Sequence, residues 1–341
     1  MKRLWVVLLS CAVLLLVAVV TGVALGPVPL APWAVLHVVL EHLSGQPASD
    51  AVADPVVWSI RLPRVLLAAL VGAMLALAGT AVQALVRNPL ADPYLLGISS
   101  GASVGATSVL LFGALASAGV WALSAGSVLG ALGATVLVFS LSRRDGQLAP
   151  TQLVLCGVVL AAMFEAVASF LLFRGNPQAT QSVLFYLLGS FGRATWSTLI
   201  GPALVLVPSF GYLLSRGRAL NALSLGADAA WSLGVDVTRL RRGLFATTAA
   251  LAGVAVAVSG VIGFVGLVVP HIVRLLIRSD HRRVLPVAAL LGASFTVLAD
   301  LLARTLVAPQ EMPLGVVTAF LGAPVLLVLV RRRGSVYGAT R

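Results

Sequence analysis

The first place to look for chemistry is Gly97-Ile98-Ser99-Ser100-Gly101, which fits the Gly-x-Ser-x-Gly pattern of a nucleophile elbow. That pattern works only on a strand-to-helix turn with a histidine and an acid in reach of the serine. Here it opens an apolar run, and Gly97, Gly101 and Gly105 recur every four residues. This spacing lets two membrane helices approach to backbone contact. Packing is therefore the preferred reading of Ser99, with an intramembrane serine protease as the enzyme alternative. A nucleotide-binding loop is excluded, because Lys2 is the only lysine and the phosphate loop ends in Gly-Lys-Ser/Thr. If ATP drives this protein, the ATPase is another chain. The four histidines, His37, His42, His271 and His281, form no ligand cluster, since even His37 and His42 stand five apart on different helix faces. Cys11 and Cys156 fall inside apolar runs and read as small core residues. No catalytic residue, metal or cofactor is expected of this chain.

The remaining polar groups stand out by their surroundings. Glu165 lies midway along an apolar run, where an ionised carboxylate is costly and faces a cavity or a partner. A pathway-lining role and a protonated or structurally bonded one are both open for it. Gln83 is a similar, less costly pathway candidate. Asp300 and Arg304 stand four apart, a spacing at which they pair along one helix face.

These groups need an apolar scaffold around them. Sixty per cent of the 341 residues are hydrophobic and ten per cent charged, against about 25% charged in a soluble domain. Such a chain cannot cover a soluble surface, and in lipid each spanning helix needs about 20 apolar residues. Apolar runs near 5–25, 65–86, 94–113, 117–141, 152–173, 196–215, 243–259, 262–278, 285–303 and 313–330 predict an all-α polytopic protein of about ten transmembrane helices. The run that follows Leu8-Leu9-Ser10-Cys11 continues to Leu25, too long for a signal peptide, and reads as an uncleaved first span. Ten spans put both termini on one side. Eighteen of the 23 lysines and arginines fall on that side, and only Arg61, Arg64, Arg174, Arg193 and Arg304 fall opposite. The positive-inside rule makes the termini cytoplasmic. The net charge of +12 is spread in short groups between apolar runs, which is not the clustered footprint of a nucleic-acid binder. The longest outer segment, 27–60, carries Pro27, Pro29 and Pro32 and a short apolar stretch suited to a surface helix. The longest inner one, 216–242, holds no run long enough to span.

Four stretches carry a resemblance to a known family: Gly72 to Ser103 (GAMLALAGTAVQALVRNPLADPYLLGISSGAS); Leu220-Asn221-Ala222-Leu223-Ser224-Leu225-Gly226 with Ser232-Leu233-Gly234-Val235; Gly263 to Arg274 (GFVGLVVPHIVR); and Glu311-Met312-Pro313-Leu314-Gly315 through Gly322-Ala323-Pro324. In this order they resemble the permeases that import iron–siderophores, haem and cobalamin in bacterial ABC systems, over nearly the whole chain after the first span.

The resemblance implies a single transmembrane permease domain over 1–341 with type II ABC importer architecture, in the bacterial inner membrane. Its partners would be a second permease chain, two ATPase subunits, a periplasmic or lipid-anchored substrate-binding protein and membrane lipid, with no nucleic acid. It places the ATPase-coupling helices in 216–242, on Leu220, Asn221, Leu225, Gly226, Leu233 and Gly234. It matches Arg61, Arg64 and Arg304 to arginines that hold acidic residues of the binding protein. It puts an inner gate at Asn88-Pro89-Leu90 and around Thr151, where Pro89 and Pro93 break the helix. Two departures, Tyr186 near Gly189-Ser190 in place of a common tryptophan, and Glu165 in place of a small residue, bear on which cargo passes. An ion-coupled secondary transporter is the rival reading, but it would need several intramembrane carboxylates and only Glu165 and Asp300 qualify.

Overall fold

The ten apolar runs form ten helices, and two of them, of 15 and 13 residues, are too short to cross a bilayer by themselves. The computed structural model describes residues 2–26, 30–144 and 147–337. Pro27, Pro29 and Arg341 lie outside the described residues, as do the side chains of Lys2, Arg144 and Arg331 to Arg333.

The chain runs through α1 (Lys2–Ala24) and α2 (Pro32–Ser44), then a π-helical turn (Pro55–Arg61) continuous with α3 (Leu62–Val86). A 3-10 turn (Pro93–Leu96) leads into α4 (Ile98–Phe112), and another (Ala116–Trp121) into α5 (Ala122–Leu141). Then come α6 (Pro150–Arg174), α7 (Pro177–Leu187), α8 (Ile200–Ser215), α9 (Gly217–Leu225) and α10 (Ala227–Ser232). The last four are α11 (Val237–Ser259), α12 (Val265–Ile277), α13 (His281–Thr305) and α14 (Leu314–Tyr337). Seven segments are long and apolar enough to span: Arg3–Ala24, Pro55–Val86, α5, α6, Ser197–Ser215, α11 and α13. The shorter apolar helices are α4, α12 and Leu314–Val328 of α14. Among the described residues the only extended pairing is a two-residue ladder, Arg143–Arg144 against Gln147–Leu148. The surface helix expected in 27–60 is α2, which buries Val35, Val38 and Glu41 and leaves Trp33, Leu36, Leu40 and Leu43 exposed.

The core is built around α3, buried on all sides from Val71 to Leu85. It packs on α13, α11, α12 and α8. A helix enclosed by other helices needs small residues where backbones cross. Gly79 supplies one such crossing: a Cβ there would collide with the carbonyl of Gly266 on α12.

The glycine stripe around Ser99 is a second crossing. A Cβ on Gly101 would strike Gly130 and Ala134 of α5, and one on Gly105 would strike the Gly126 carbonyl. Ser99 itself lies half-buried in the first turn of α4, not on a strand-to-helix turn, so the elbow pattern serves packing. Gly105→Val should therefore destabilise the protein by about 1–3 kcal/mol or more, whereas Ser99→Ala should leave thermal unfolding of the detergent-purified protein unchanged and Ser99 unlabelled by a reactive-serine probe. Labelling of Ser99 would restore the protease reading.

Candidate functional site

At the end of the bundle opposite the termini, the expected docking arginines turn inward. Arg61, Arg64 and Arg304 are 6%, 8% and 4% exposed. Arg61 Nη1 donates to Val23 O at 2.9 Å and Ala24 O at 3.0 Å, and Arg304 Nη2 donates to Gly22 O at 2.8 Å. Both therefore cap the last carbonyls of α1, which have no partner inside the helix and carry the negative end of its dipole.

Arg64 forks between two acids. Its Nε lies 3.1 Å from both Asp300 oxygens, Nη2 is 2.9 Å from Asp300 Oδ1 and from Glu311 Oε2, and Nη1 is 2.8 Å from Glu311 Oε1. Arg304 Nε lies 3.0 Å from Asp300 Oδ2, which is the four-apart pairing expected along α13. The three arginines expected to dock the binding protein are thus buried, and their guanidinium groups engage groups of this chain.

Glu311, quoted in the sequence but given no role, is the second acid of this cluster. Its signal was its place as the only acidic residue in the short connection from α13 to α14. Burial opposes its ionisation, but the hydrogen bonds and charge of Arg64 outweigh this and hold its carboxyl below its usual range. The same connection is stitched to the bundle by Met312 N to Ala303 O (2.9 Å), Leu314 N to Gly189 O (3.0 Å) and Gly315 N to Leu188 O (2.9 Å).

Beside the cluster lies a cavity of about 400 Å³ whose wall includes Tyr186, Ser190, Arg193, Ser259, Glu311 and Met312. It borders the place where α11 stops at Gly260 (φ 71°) and the chain runs extended to Phe264 before α12. Tyr186, the departure noted in the sequence, meets Ser127 Oγ at 2.8 Å and donates to Val256 O at 2.9 Å. It thereby ties α7 to α5 and α11.

Toward the termini's side, Gln83 is a clamp. Its Nε2 donates at 3.3 Å to Ala91 O, Gly266 O and Leu267 O, and its Oε1 accepts from Arg274 Nη2. Buried to 4% exposure, it joins α3 to the start of α12. In the turn after α3, Asn88 Oδ1 accepts from Leu90 N at 2.9 Å. Thr151 is exposed in the first turn of α6. No hydrogen bond among the described residues joins the two parts of the expected gate.

The segment 216–242 forms α9 and α10, joined at Gly226 (φ 130°), and its last residues open α11. Leu220 and Leu223 are fully buried. Asn221 locks α9 to the core: its Nδ2 donates to Asp280 Oδ1 at 2.8 Å and its Oδ1 accepts from His281 N at 2.9 Å. Leu225, Trp231 and Leu233 are left exposed, Trp231 at 76%. Gly234 (φ 78°) closes the turn after α10. Trp231 was missed in the sequence, though a tryptophan between Gly226 and Gly234 was a signal. Glu165 is exposed on α6, a helix buried over only 22% of its most apolar window. His37 and His42 make isolated contacts, with Glu41 at 3.1 Å and Asp54 at 2.6 Å.

Helices interrupted beside a polar cavity, inside an apolar bundle, define a polytopic membrane protein of the transporter type. The chain belongs to the FecCD transport family, whose model matches residues 14–332. It is 46% identical over 281 residues to the hemin transport system permease protein HmuU of Yersinia pestis, covering 81% of this chain and 84% of that one. It is 41% identical over 280 residues to the vitamin B12 import system permease protein BtuC of Escherichia coli O157:H7 (strain EC4115 / EHEC), covering 82% and 84%. A chain solved in an inward-facing conformation and assigned to the metal-chelate type of ABC transporter superposes with a TM-score of 0.84 at 33% identity, over 95% of this chain and 98% of that one.

Two outcomes test the charge cluster. Arg64→Met leaves the buried Asp300 short of its main partner and should cost about 3–5 kcal/mol, read as a lower unfolding temperature in detergent. Arg64→Met with Asp300→Leu should recover part of the loss, and no loss in the single variant would detach the cluster from stability. A carboxyl held low in the folded state contributes stability that is present above its ordinary pKa and is lost as pH falls through the depressed one. Acidification below the ordinary carboxylate range should therefore destabilise the wild type more than Glu311→Gln; parallel pH profiles would assign the loss to other groups.

Proposed function

We propose that this chain is the membrane-spanning permease subunit of an ATP-binding-cassette importer. It passes a haem-, cobalamin- or iron–siderophore-like chelate from a substrate-binding protein into the cytoplasm by alternating access. The observation that carries the proposal is the apolar patch Leu225, Trp231 and Leu233, carried by short helices that Asn221 fastens to Asp280 and His281 at the start of α13. An exposed patch on a rigidly held element is what a partner that drives conformational change must grip. With no phosphate loop in the chain, that partner is an ATPase subunit, one under each of two permease chains.

The cargo class rests on the relatives named for hemin and vitamin B12 transport and on the neighbour of metal-chelate type. The cationic imbalance between the two sides places the termini in the cytoplasm of a bacterial cell. The pathway runs between the two permeases, along the face of α6 that carries Glu165, since a carboxylate at that depth needs water or a partner rather than lipid. Asn88-Pro89-Leu90 and Thr151 close its cytoplasmic end. A periplasmic or lipid-anchored binding protein docks at the opposite end, where Arg61, Arg64 and Arg304 lie.

The test is assembly. The purified chain alone should hydrolyse no ATP, and co-expression with the ATPase should give a complex that does. Trp231→Asp should abolish co-purification of the ATPase while the variant remains monodisperse with an unchanged unfolding temperature. Retention of the ATPase by Trp231→Asp together with Leu225→Asp would overturn the coupling assignment.

A further inference from the structure

A second pocket, of about 290 Å³, opens on the termini's side between α9, the end of α3 and the connection from α12 to α13. Its polar wall is Gln83, Arg87, Ser224, Arg274, Ser279 and His281. Among the described residues no carboxylate lines it. The nearest acid in sequence, Asp280, is already engaged: Oδ1 accepts from Asn221 Nδ2 and Arg282 N, and Oδ2 faces Arg283 at 3.4 Å.

The charge inside is unbalanced. Arg274 donates to the neutral Gln83 amide and its field reaches His281. Arg87 has no hydrogen bond or ion pair among the described residues, and it repels Arg241. Arg87 also ends α3 in the left-handed conformation, φ 54° and ψ 34°, which an arginine adopts uncommonly. Strain of this kind persists where the surroundings hold a residue for a purpose. Here it sets a guanidinium at the mouth of a pocket whose other cation sits deeper.

We propose that this pocket is an anion site for a phosphate group, supplied by an acidic lipid headgroup or by free phosphate. Basic pockets between helices on the cation-rich side of membrane proteins take such headgroups, and a guanidinium fork matches phosphate oxygens in geometry as well as charge. Ser279 brings a hydroxyl to the lining, and Ser224, whose hydroxyl donates to Leu220 O at 3.0 Å, lines it from α9. The depth is right for a headgroup, because α3 and α12 both end at this level. Since Ser224 belongs to α9, an occupant would bridge that helix to α12; in this one respect the consequence rests on the coupling role proposed above, whereas the binding does not.

The permease alone, in nanodiscs of equimolar phosphatidylglycerol and phosphatidylcholine, tests the proposal by native mass spectrometry after transfer to neutral detergent. Wild-type protein should retain phosphatidylglycerol over phosphatidylcholine, and Arg87→Gln should weaken that retention about fivefold, the worth of one arginine at a membrane surface. Arg87→Lys should restore most of it, and Arg216→Gln, a cation on the same side outside this pocket, should not change it. In a second arm, inorganic phosphate added to delipidated protein should raise the unfolding temperature of the wild type more than that of Arg87→Gln. Retention without a phosphate response assigns the site to lipid, and the reverse assigns it to free phosphate. If Arg87→Gln alters neither, or alters only co-purification of the ATPase, the pocket is not an anion site and Arg87 contacts protein.

Discussion

Backbone groups at membrane depth must find partners inside the protein, because lipid offers none, and this chain breaks its helices where that constraint is hardest to meet. Between α11 and α12 the chain leaves helical geometry from Gly260 to Phe264. The exposed groups there are taken up one by one. Tyr94 donates its hydroxyl to Ile262 O at 3.2 Å and accepts from Ile262 N at 3.3 Å. Ser190 N donates to Ser259 O at 2.8 Å. Gln83 donates to two carbonyls in the first turn of α12, Gly266 O and Leu267 O, the first of which lacks a helical donor because Pro270 has no N–H. Each partner comes from a different stretch of sequence, so the break is stable only when α3, the 93–96 turn, α7 and α12 are assembled together. The cavity beside Tyr186, Ser190 and Ser259 is the space this arrangement leaves.

Electrostatics follows the same logic at the end opposite the termini. Three guanidinium groups meet only two carboxylates there, which would leave an excess positive charge in an apolar bundle. The carbonyls at the end of α1, contacted by Arg61 and Arg304, supply the missing negative potential. Cations at a helix C-terminus thus do the work of a third acid. The cluster fixes the ends of α1, α3 and α13 on that side and the entry to α14 in one unit.

How much of this was legible depended on the range of the interaction. Hydropathy exposes the ten apolar helices, because a run of about 20 apolar residues is a local property. It could not show that α4 and α12 stop short, since their ends are set by Gly97, Gly113 and Phe264 in left-handed conformations. The glycine stripe of α4 was readable as packing, although its partners Gly126 and Gly130 were not. Arg61, Arg64 and Arg304 were visible only as arginines on the side where arginines are few. Their inward pairing was hidden because Arg64 and Asp300 lie 236 residues apart, and a single sequence carries no trace of such a contact. The non-spanning segment 216–242 was legible through its glycines and its length, whereas the outward face of Trp231 needed the fold of α9 onto Asn221 and Asp280.

The two clusters share one strut. Arg64 and Gln83 stand at opposite ends of α3, 19 residues apart along the chain, or about 28 Å at the rise of an α-helix. Between them α3 crosses α13 at Gly72 and α12 at Gly79, where no side chain could fit. A helix held by charge at one end, by a carbonyl clamp at the other and by backbone contact between has no soft place along its length. The bundle of α1, α3, α12 and α13 therefore moves as a body. Whatever changes shape is left to the elements with little of their surface buried and no such tie: α6 and the segment Ser197–Ser215, buried over 22% and 11% of their apolar windows against 83% for the segment that contains α3, whereas α1, also at 22%, is held by Arg61 and Arg304. Glu165 is on the first of these, and α9 follows directly from the second. A pathway that opens and closes must lie beside parts that are free to shift, and these are the parts the packing leaves free.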